Sequence, residues 1–371
     1  MVSESGGLPA LEERSGYFTS GFRMNCECGG VSSISSTVYF DRSAADAMMP
    51  CEHCDNAIHF GPGVAALRDV DDLALDNARI SRLAWYHTST SPDWPSPAYE
   101  AEQLKWFEEF RRQHPGMSSG MGGPPATKAL HVGTYQAAIV NMLRRMRNQG
   151  DAASQFYLYR VGLAVDPGRV NDGYRDENHE PAAQLTVAQL LAEELSAIRY
   201  LNVFEDMGSL SLALLPESIR SLQRIALPIV GFVPDHGPSL DELIDRVDRR
   251  VAQSTAEMPN TSGISPGRLR LMALAPERDP SGIGARVQRI EEAIGEQESA
   301  LEDALAERYL DGVCPVVADK FRAAVGAWRS KGTPTRREFT DFYAASAYAL
   351  TRPDAVMRLV AGQEAKPIST G

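Results

Sequence analysis

An α+β protein in three parts is the fold class this sequence predicts, and three observations predict it. Four of its five cysteines crowd between residues 26 and 54 among short β-branched runs. Strand-like and helical periodicities then alternate from about residue 78 to 235, and long helical periodicity takes over after Pro238. The chain of 371 residues exceeds one average domain. The expected parts are a β module at 1–70, an α+β unit at 78–235, an α-helical C-terminal domain at 239–360 and a disordered tail at 361–371.

In the first part, runs such as Ser36-Thr37-Val38-Tyr39-Phe40 read as strands with turns at Gly and Asn. In the second, strands are expected at Leu83–His87, Ala129–Val132, Phe156–Val165, Ile198–Phe204 and Ser209–Leu215. Helices are expected at Ala98–Gln113, Tyr135–Met146 and Thr186–Leu195, and a polar loop at Asp166–Pro181. The Gly/Pro tract Pro115–Pro125 reads as a loop beside a pocket or as a plain surface linker. In the third part, Leu240, Leu243, Ile244 and Val247, then Val287, Ile290, Ile294, Leu301, Leu305 and Leu310, keep helical spacing with charges between them. Asp235-His236 and Cys314 point only to packing or surface.

With 37 Lys and Arg against 49 Asp and Glu, the net charge is −12, a field that repels phosphate backbones. Non-specific nucleic-acid binding is therefore disfavoured. No apolar run approaches the ~20 residues of a membrane span, and no basic segment followed by an apolar core stands at the N-terminus, so a cytoplasmic protein without membrane contact is expected.

Cys26-Glu27-Cys28 and Cys51-Glu52-His53-Cys54 are two thiolate pairs that two hairpin tips can bring onto one tetrahedral cation. Zn²⁺ is the natural occupant of four thiolates, and such a site is structural because no coordination position is left open. Gly29-Gly30 permits the tight turn that aims amides at sulfur. His53 and His59 are spare ligands at most. A zinc-ribbon module with acidic neighbours (Glu27, Glu52, Asp55) suits protein contact, or support of the adjacent unit, better than phosphate binding.

Three separated segments each deliver one polar residue at a strand: Trp85-Tyr86-His87-Thr88-Ser89-Thr90, Leu130-His131-Val132-Gly133-Thr134 and Tyr200-Leu201-Asn202-Val203-Phe204-Glu205-Asp206. The Tyr86-His87-Thr88-Ser89 stretch resembles the first-strand Tyr-His-Gly-Thr/Ser motif of ADP-ribosyltransferases of the His-Tyr-Glu group, that of diphtheria toxin and poly-ADP-ribose polymerase. Leu130–Ala138 resembles their second conserved strand leading into a helix, and Asn202–Ser211 their glutamate strand and turn. The matches run from about residue 83 to 222 and are closest to the divergent domains of phage and mobile-element polyvalent proteins.

The resemblance implies a split β-sheet fold with NAD⁺ in its cleft, consumed as a substrate. On it, His87 would hold a ribose hydroxyl, and the backbone at Thr88, beside Ser89, would hold the nicotinamide amide. Glu205 would bind the ribose 2′-hydroxyl and steady the cation that forms when the glycosidic bond breaks. The stacking aromatic falls to His131 or Tyr135. Thr88 stands where the family has Gly, and Val203 two residues before Glu205 means that the Glu-X-Glu turn of the arginine-modifying group is absent, which argues against arginine as acceptor.

Each residue also has a plainer role open to it: His87 and His131 as core histidines, Glu205-Asp206 as a solvated turn, and Tyr157, Tyr159 and Arg160 as core and edge. Two other functions stay open. One is a non-catalytic interaction protein that uses the zinc module and C-terminal helices around a degenerate transferase fold; the other is an RNA 2′-phosphotransferase, whose demand for basic residues Arg144, Arg145 and Arg147 on one helix do not by themselves meet. No G-x-G-x-x-G or P-loop sequence is present. The acceptor, whether protein, nucleic acid, small molecule or water, is not written in the sequence.

Overall fold

The computed structural model describes residues 10–14, 18, 21–35, 38–39, 46–60, 65–95, 97–114, 128–229, 236–275, 277 and 279–368. Two compact units divide the chain. The first comprises Met1–Val230, Val313–Lys331 and Arg352–Gly371; the second comprises Gly231–Gly312 and Gly332–Thr351.

In the first unit the cysteine region forms two antiparallel hairpins: β1 (Gly21–Asn25) with β2 (Val31–Ser35), and β3 (Met48–Pro50) with β4 (Ala57–His59). Alternation along the strands gathers Phe22, Met24, Ile34, Met49 and Ile58 into a small core with Cys51 and Phe60.

Beyond it lie β5 (Trp85–Ser89), β6 (Leu130–Val132), β7 (Phe156–Leu163), β8 (Arg175–Asp176), β9 (Ala197–Asn202), β10 (Ser209–Leu214), β11 (Ile219–Leu227) and β12 (Lys366–Pro367). They make two four-stranded sheets, β12-β11-β7-β5 and β6-β10-β9-β8. One hydrophobic cluster joins the sheets: Trp85, Val161, Leu163 and Ile219 from the first, and Val132, Ala197, Leu210, Leu212 and Leu214 from the second. The period-two sequence Ser-Leu-Ser-Leu-Ala-Leu of β10 explains its share, because its leucines turn to this core while Ser211 and Ala213 face away. On that other face, Ile198, Tyr200 and Ala213 join a second cluster. An antiparallel bridge, Tyr86 with Gly133, also ties the sheets together, and its two N–H···O bonds measure 2.9 and 3.0 Å.

Helix α1 spans Pro97–Gln113 and α2 spans Tyr135–Asn148. Thr134 caps α2 by accepting the Ala137 amide at 3.1 Å. The one-and-a-half-turn helix α3 (Val187–Ala192) opens on a capping box of Thr186 and Gln189, and its Leu190 covers the second cluster. Helix α7 (Pro315–Lys331) packs on α2, and α9 (Pro353–Ala361) packs on β11 and β7.

The second unit holds α4 (Gly237–Ala256), α5 (Pro266–Leu274), α6 (Ile283–Tyr309) and α8 (Arg336–Thr351). Leu240, Ile244 and Val247 of α4, Val287, Ile290, Leu301 and Leu305 of α6, and Phe339 and Tyr343 of α8 are among its buried apolar residues. His236 is buried between the Tyr309 hydroxyl and the Asp341 carboxylate, at 2.7 Å from each. Among the described residues no helix is long and apolar enough to cross a membrane.

The mixed α+β class matches the expectation; the boundaries differ. The cysteine hairpins group with the sheets, and α7 and α9, expected in a separate C-terminal domain, group with the first unit as well. The tail expected to be disordered carries β12, because Lys366 and Pro367 pair with Leu222 and Ser221 of β11. The loop expected at Asp166–Pro181 contains the short β8. The Gly/Pro tract Pro115–Pro125 and Asp235 lie outside the described residues.

Arg199 shows what fixes the connections. It is 1% exposed, and its guanidinium donates to the carbonyls of Ala74, Gly173 and Asn171 and to Asn77 Oδ1. Arg199→Leu leaves these acceptors buried without donors, at ~1–3 kcal/mol each. Urea unfolding should show a loss of about 3 kcal/mol or more; a loss under 1 kcal/mol would contradict this account.

Candidate functional site

The four cysteine sulfurs Cys26, Cys28, Cys51 and Cys54 lie within 4.8 Å of one another. Cys26 and Cys54 are 3.7 Å apart and Cys28 and Cys51 are 3.8 Å apart. A tetrahedral metal with bonds of ~2.3 Å to sulfur has sulfur–sulfur edges of about 3.8 Å, so the donor set has the dimensions of a four-thiolate site. Gly29, at φ 82°, makes the turn after the first pair, and the Gly30 amide points at Cys28 Sγ from 3.4 Å. A Cβ at Gly30 would strike the His53 ring at 2.4 Å. The His53 amide and the Ser32 hydroxyl both reach Cys51 Sγ and draw its thiol down to about 6. His53 Nε2 is engaged with the Val31 carbonyl at 3.0 Å, so the sulfurs close the set without it.

The second site is a cleft of about 360 Å³, counted out to its open mouth, at the seam between the two sheets. His87, Thr88, His131, Tyr200, Asn202, Glu205 and Ser211 are among its lining. Strand alternation and register put them there: Tyr200 and Asn202 share a face of β9, and Ser211 is registered against Tyr200 across β10.

His87 donates Nδ1–H to the His131 carbonyl at 2.8 Å, which leaves Nε2 as the acceptor, and its ring stacks on Trp94 at 4.0 Å. His131 binds the Tyr200 hydroxyl through Nδ1 at 3.1 Å, while its buried Nε2 has no hydrogen-bond partner among the described residues. Burial pushes the two imidazoles down to about 3 and about 4, so both are neutral at physiological pH. Thr88, 2% exposed, donates its hydroxyl to the Ala138 carbonyl and ties β5 to α2. Because the Tyr86 amide and carbonyl both point to the β6 side, strand alternation turns those of Thr88 to the same side, where the cleft opens.

Glu205 sits in the β9–β10 turn. Asn202 shapes that turn: its Oδ1 accepts the amides of Glu205 and Asp206 at 2.9 and 3.1 Å, and its Nδ2 donates to Glu205 Oε2 at 3.1 Å and to Ser211 Oγ at 3.2 Å. Glu205 Oε1 meets Arg144 Nε at 3.3 Å and Asn141 Nδ2 at 3.4 Å. Glu177, 6% exposed, accepts the Val203 amide at 3.2 Å just behind. Burial, and then the charge of Glu205, push its carboxyl up to about 7.

Two candidates fall elsewhere. Tyr135 is buried at the start of α2, edge-on to Tyr86 with centroids 5.5 Å apart, and does not line the cleft; a residue that begins a packed helix is turned into the core. Ser89, fully buried, accepts the Ser91 amide at 3.1 Å and shapes the turn after β5. Asp206 is no solvated turn residue: it is 4% exposed, with Arg68 at 2.7 Å and the Thr134 hydroxyl at 2.7 Å.

Sequence reasoning did not single out Tyr200, Asn202, Ser211, Asn141, Arg144 and Glu177 as parts of this site. Period two around Glu205 could have found Asn202 and Ser211, and the i, i+3 spacing joins Asn141 to Arg144. Glu177 had no such signal. Compared with protein-family models, curated proteins and solved structures, the chain matches none of them.

Two outcomes are expected. Plasma mass spectrometry should find one metal ion per chain, and Cys28→Ser with Cys54→Ser should lose it and lower Tm by roughly 5 °C; a metal-free wild-type chain of the same Tm would refute the site. Glu177, held above the ordinary glutamate range, contributes its full stability below about pH 4.3 and loses it as pH rises through about 7. Glu177→Gln should therefore match the wild type at pH 4 and exceed it by on the order of 3 kcal/mol at pH 8 in denaturant titrations.

Proposed function

We propose that the seam cleft binds the nicotinamide riboside end of NAD⁺ and that the protein is an ADP-ribosyltransferase, or its hydrolytic variant, built on a split β-sheet. The observation that carries this reading is that His87, His131 and Glu205, more than a hundred positions apart from first to last, line one cleft. Cleavage of the glycosidic bond sends its electron pair onto nicotinamide and leaves a cation-like ribose. An acceptor oxygen or nitrogen then bonds the anomeric carbon and gives up its proton to solvent.

The residues suit those demands. His87 Nε2 is an acceptor for a ribose hydroxyl, held in that tautomer by the His131 carbonyl. The outward-turned amide and carbonyl of Thr88 match a carboxamide. His131 Nε2, buried and without a partner among the described residues, offers a second polar contact. Glu205 supplies fixed negative charge, oriented by Asn202, where positive charge develops. Two neutral imidazoles do not oppose a cationic transition state, as charged ones would.

Zn²⁺ is the ion proposed for the cysteine cluster, in a structural role, since four thiolates match its ligand preference and complete its shell.

Purified protein is expected to release nicotinamide from NAD⁺. Glu205→Gln should slow release about 100-fold or more, and His87→Ala about tenfold, with folding retained by circular dichroism. Equal release by wild type and Glu205→Gln would overturn the assignment, as would none from either with a panel of acceptors. Calorimetric titration with NAD⁺ separates an inactive relic, which would show no saturable binding lost in His87→Ala.

A further inference from the structure

We propose that Arg144 is a specificity-determining latch: it covers Glu205 in the free protein and is drawn off by a substrate that carries phosphate next to its nicotinamide ribose. The proposal rests on the function proposed above and concerns how the same cleft chooses a dinucleotide over an unphosphorylated riboside.

Glu205 is not free to meet a ribose hydroxyl as it stands. Its Oε2 is held by Asn202, and its Oε1 by Arg144 at 3.3 Å with Asn141 beside it. A carboxylate neutralised by a guanidinium is a poor stabiliser of a developing cation, because the two fields cancel. The resting contact is therefore an inhibited one.

Three features make Arg144 the movable partner. Its side chain is 41% exposed, against 14% for Glu205, so it can swing while the carboxylate cannot. Its shortest contact with Glu205, 3.3 Å from Nε to Oε1, is at the long end of hydrogen-bonding range. It stands one helical turn beyond Asn141, and Asn141 and Glu205, the carboxylate that Arg144 meets, both line the cleft.

Phosphate is the better ligand for an arginine fork. In a dinucleotide the pyrophosphate follows the 5′-oxygen of the nicotinamide ribose and lies next to the sugar that Glu205 must hold. Moving Arg144 onto it would bare Glu205 while keeping the cation inside the complex. Lys320 of α7 stays on the turn, with Nζ 3.4 Å from the Phe204 carbonyl, so the acidic turn keeps a counter-charge. Nicotinamide riboside has no phosphate to offer and would leave Glu205 covered. The contact would thus convert a remote part of the substrate into reactivity at the scissile bond.

The test compares nicotinamide release from NAD⁺ and from nicotinamide riboside by wild type, Arg144→Met and Arg144→Lys. Arg144→Met should lower kcat/KM for NAD⁺ about 10- to 100-fold, the worth of a charge-assisted contact, and raise it for the riboside. Arg144→Lys should fall between the two. Equal loss on both substrates, or an unchanged ratio, overturns the latch. If the wild type releases no nicotinamide, the function proposal fails and the latch is judged on binding alone. ADP-ribose should then bind Arg144→Met about tenfold more weakly than wild type by calorimetry, and equal affinity or no binding to either overturns it.

Discussion

A carboxylate taken out of water must find charge or donors inside the protein, and Asp206 finds both. Arg68 forks onto its two oxygens at 2.7 and 3.2 Å, and Thr134 donates its hydroxyl at 2.7 Å. Those partners come from the segment after the cysteine hairpins and from the cap of α2, so one buried acid joins three pieces of chain. Removing Arg68 would leave Asp206 without its ion-pair partner, which is the costly way to lose such a pair. With Asp206 pinned inward, Glu205 must project the other way, into the cleft. The position that lines the cleft is set by the burial of its neighbour.

The cleft itself is the consequence of two sheets that share a bridge. Tyr86 and Gly133 exchange both of their backbone bonds, and on one side of that bridge β5 and β6 open apart. A Cβ at Gly133 would meet Ser211 Oγ at 2.7 Å and Ala137 Cβ at 3.0 Å, so any side chain there would have to displace its neighbours. His87 and His131 flank the opening, joined by the bond from the His87 ring to the His131 carbonyl. A ring held this way keeps its tautomer and its neutrality for the same reason, because the protein supplies the hydrogen-bond partner and excludes water.

What could be read from the sequence were features with a local period or a local spacing. Leucines at every second position marked β10, the strands around His87, His131 and Tyr200 fell within a few residues of their observed ends, and the paired cysteines marked a four-sulfur cluster. Features decided by distant partners were not legible. Asp206 looks like a surface acid until Arg68, more than a hundred residues away, is set beside it. Strand β11 carries Arg220, Gln223 and Arg224, so its sequence hides a strand whose Gln223 bonds Arg160 and the carbonyls of Ala361 and Gln363 at the end of α9. The apolar faces of α7 and α9 announced helices without saying which unit they would cover. Tyr135, which the resemblance offered beside His131 as the stacking aromatic, begins a packed helix and is buried against Tyr86.

The cysteine hairpins share a core with the turn that carries Glu205. Met207 packs against the cluster of Phe22, Met24, Met49 and Phe60, and Met24 bridges to Ala65, three residues before Arg68. The next residue, Gly208, takes φ 81° and gives its carbonyl to the Arg68 amide at 2.8 Å; a Cβ there would meet the Ala66 carbonyl at the same distance. Only glycine fits that position, so the turn is clamped from the side opposite the cleft. A module too small to hold together on apolar contacts alone gains its rigidity from whatever closes its four sulfurs. That rigidity reaches Glu205 through Met207, Gly208 and the Arg68–Asp206 pair, which makes the metal-site geometry a condition for the placement of the acid and not a separate feature of the chain.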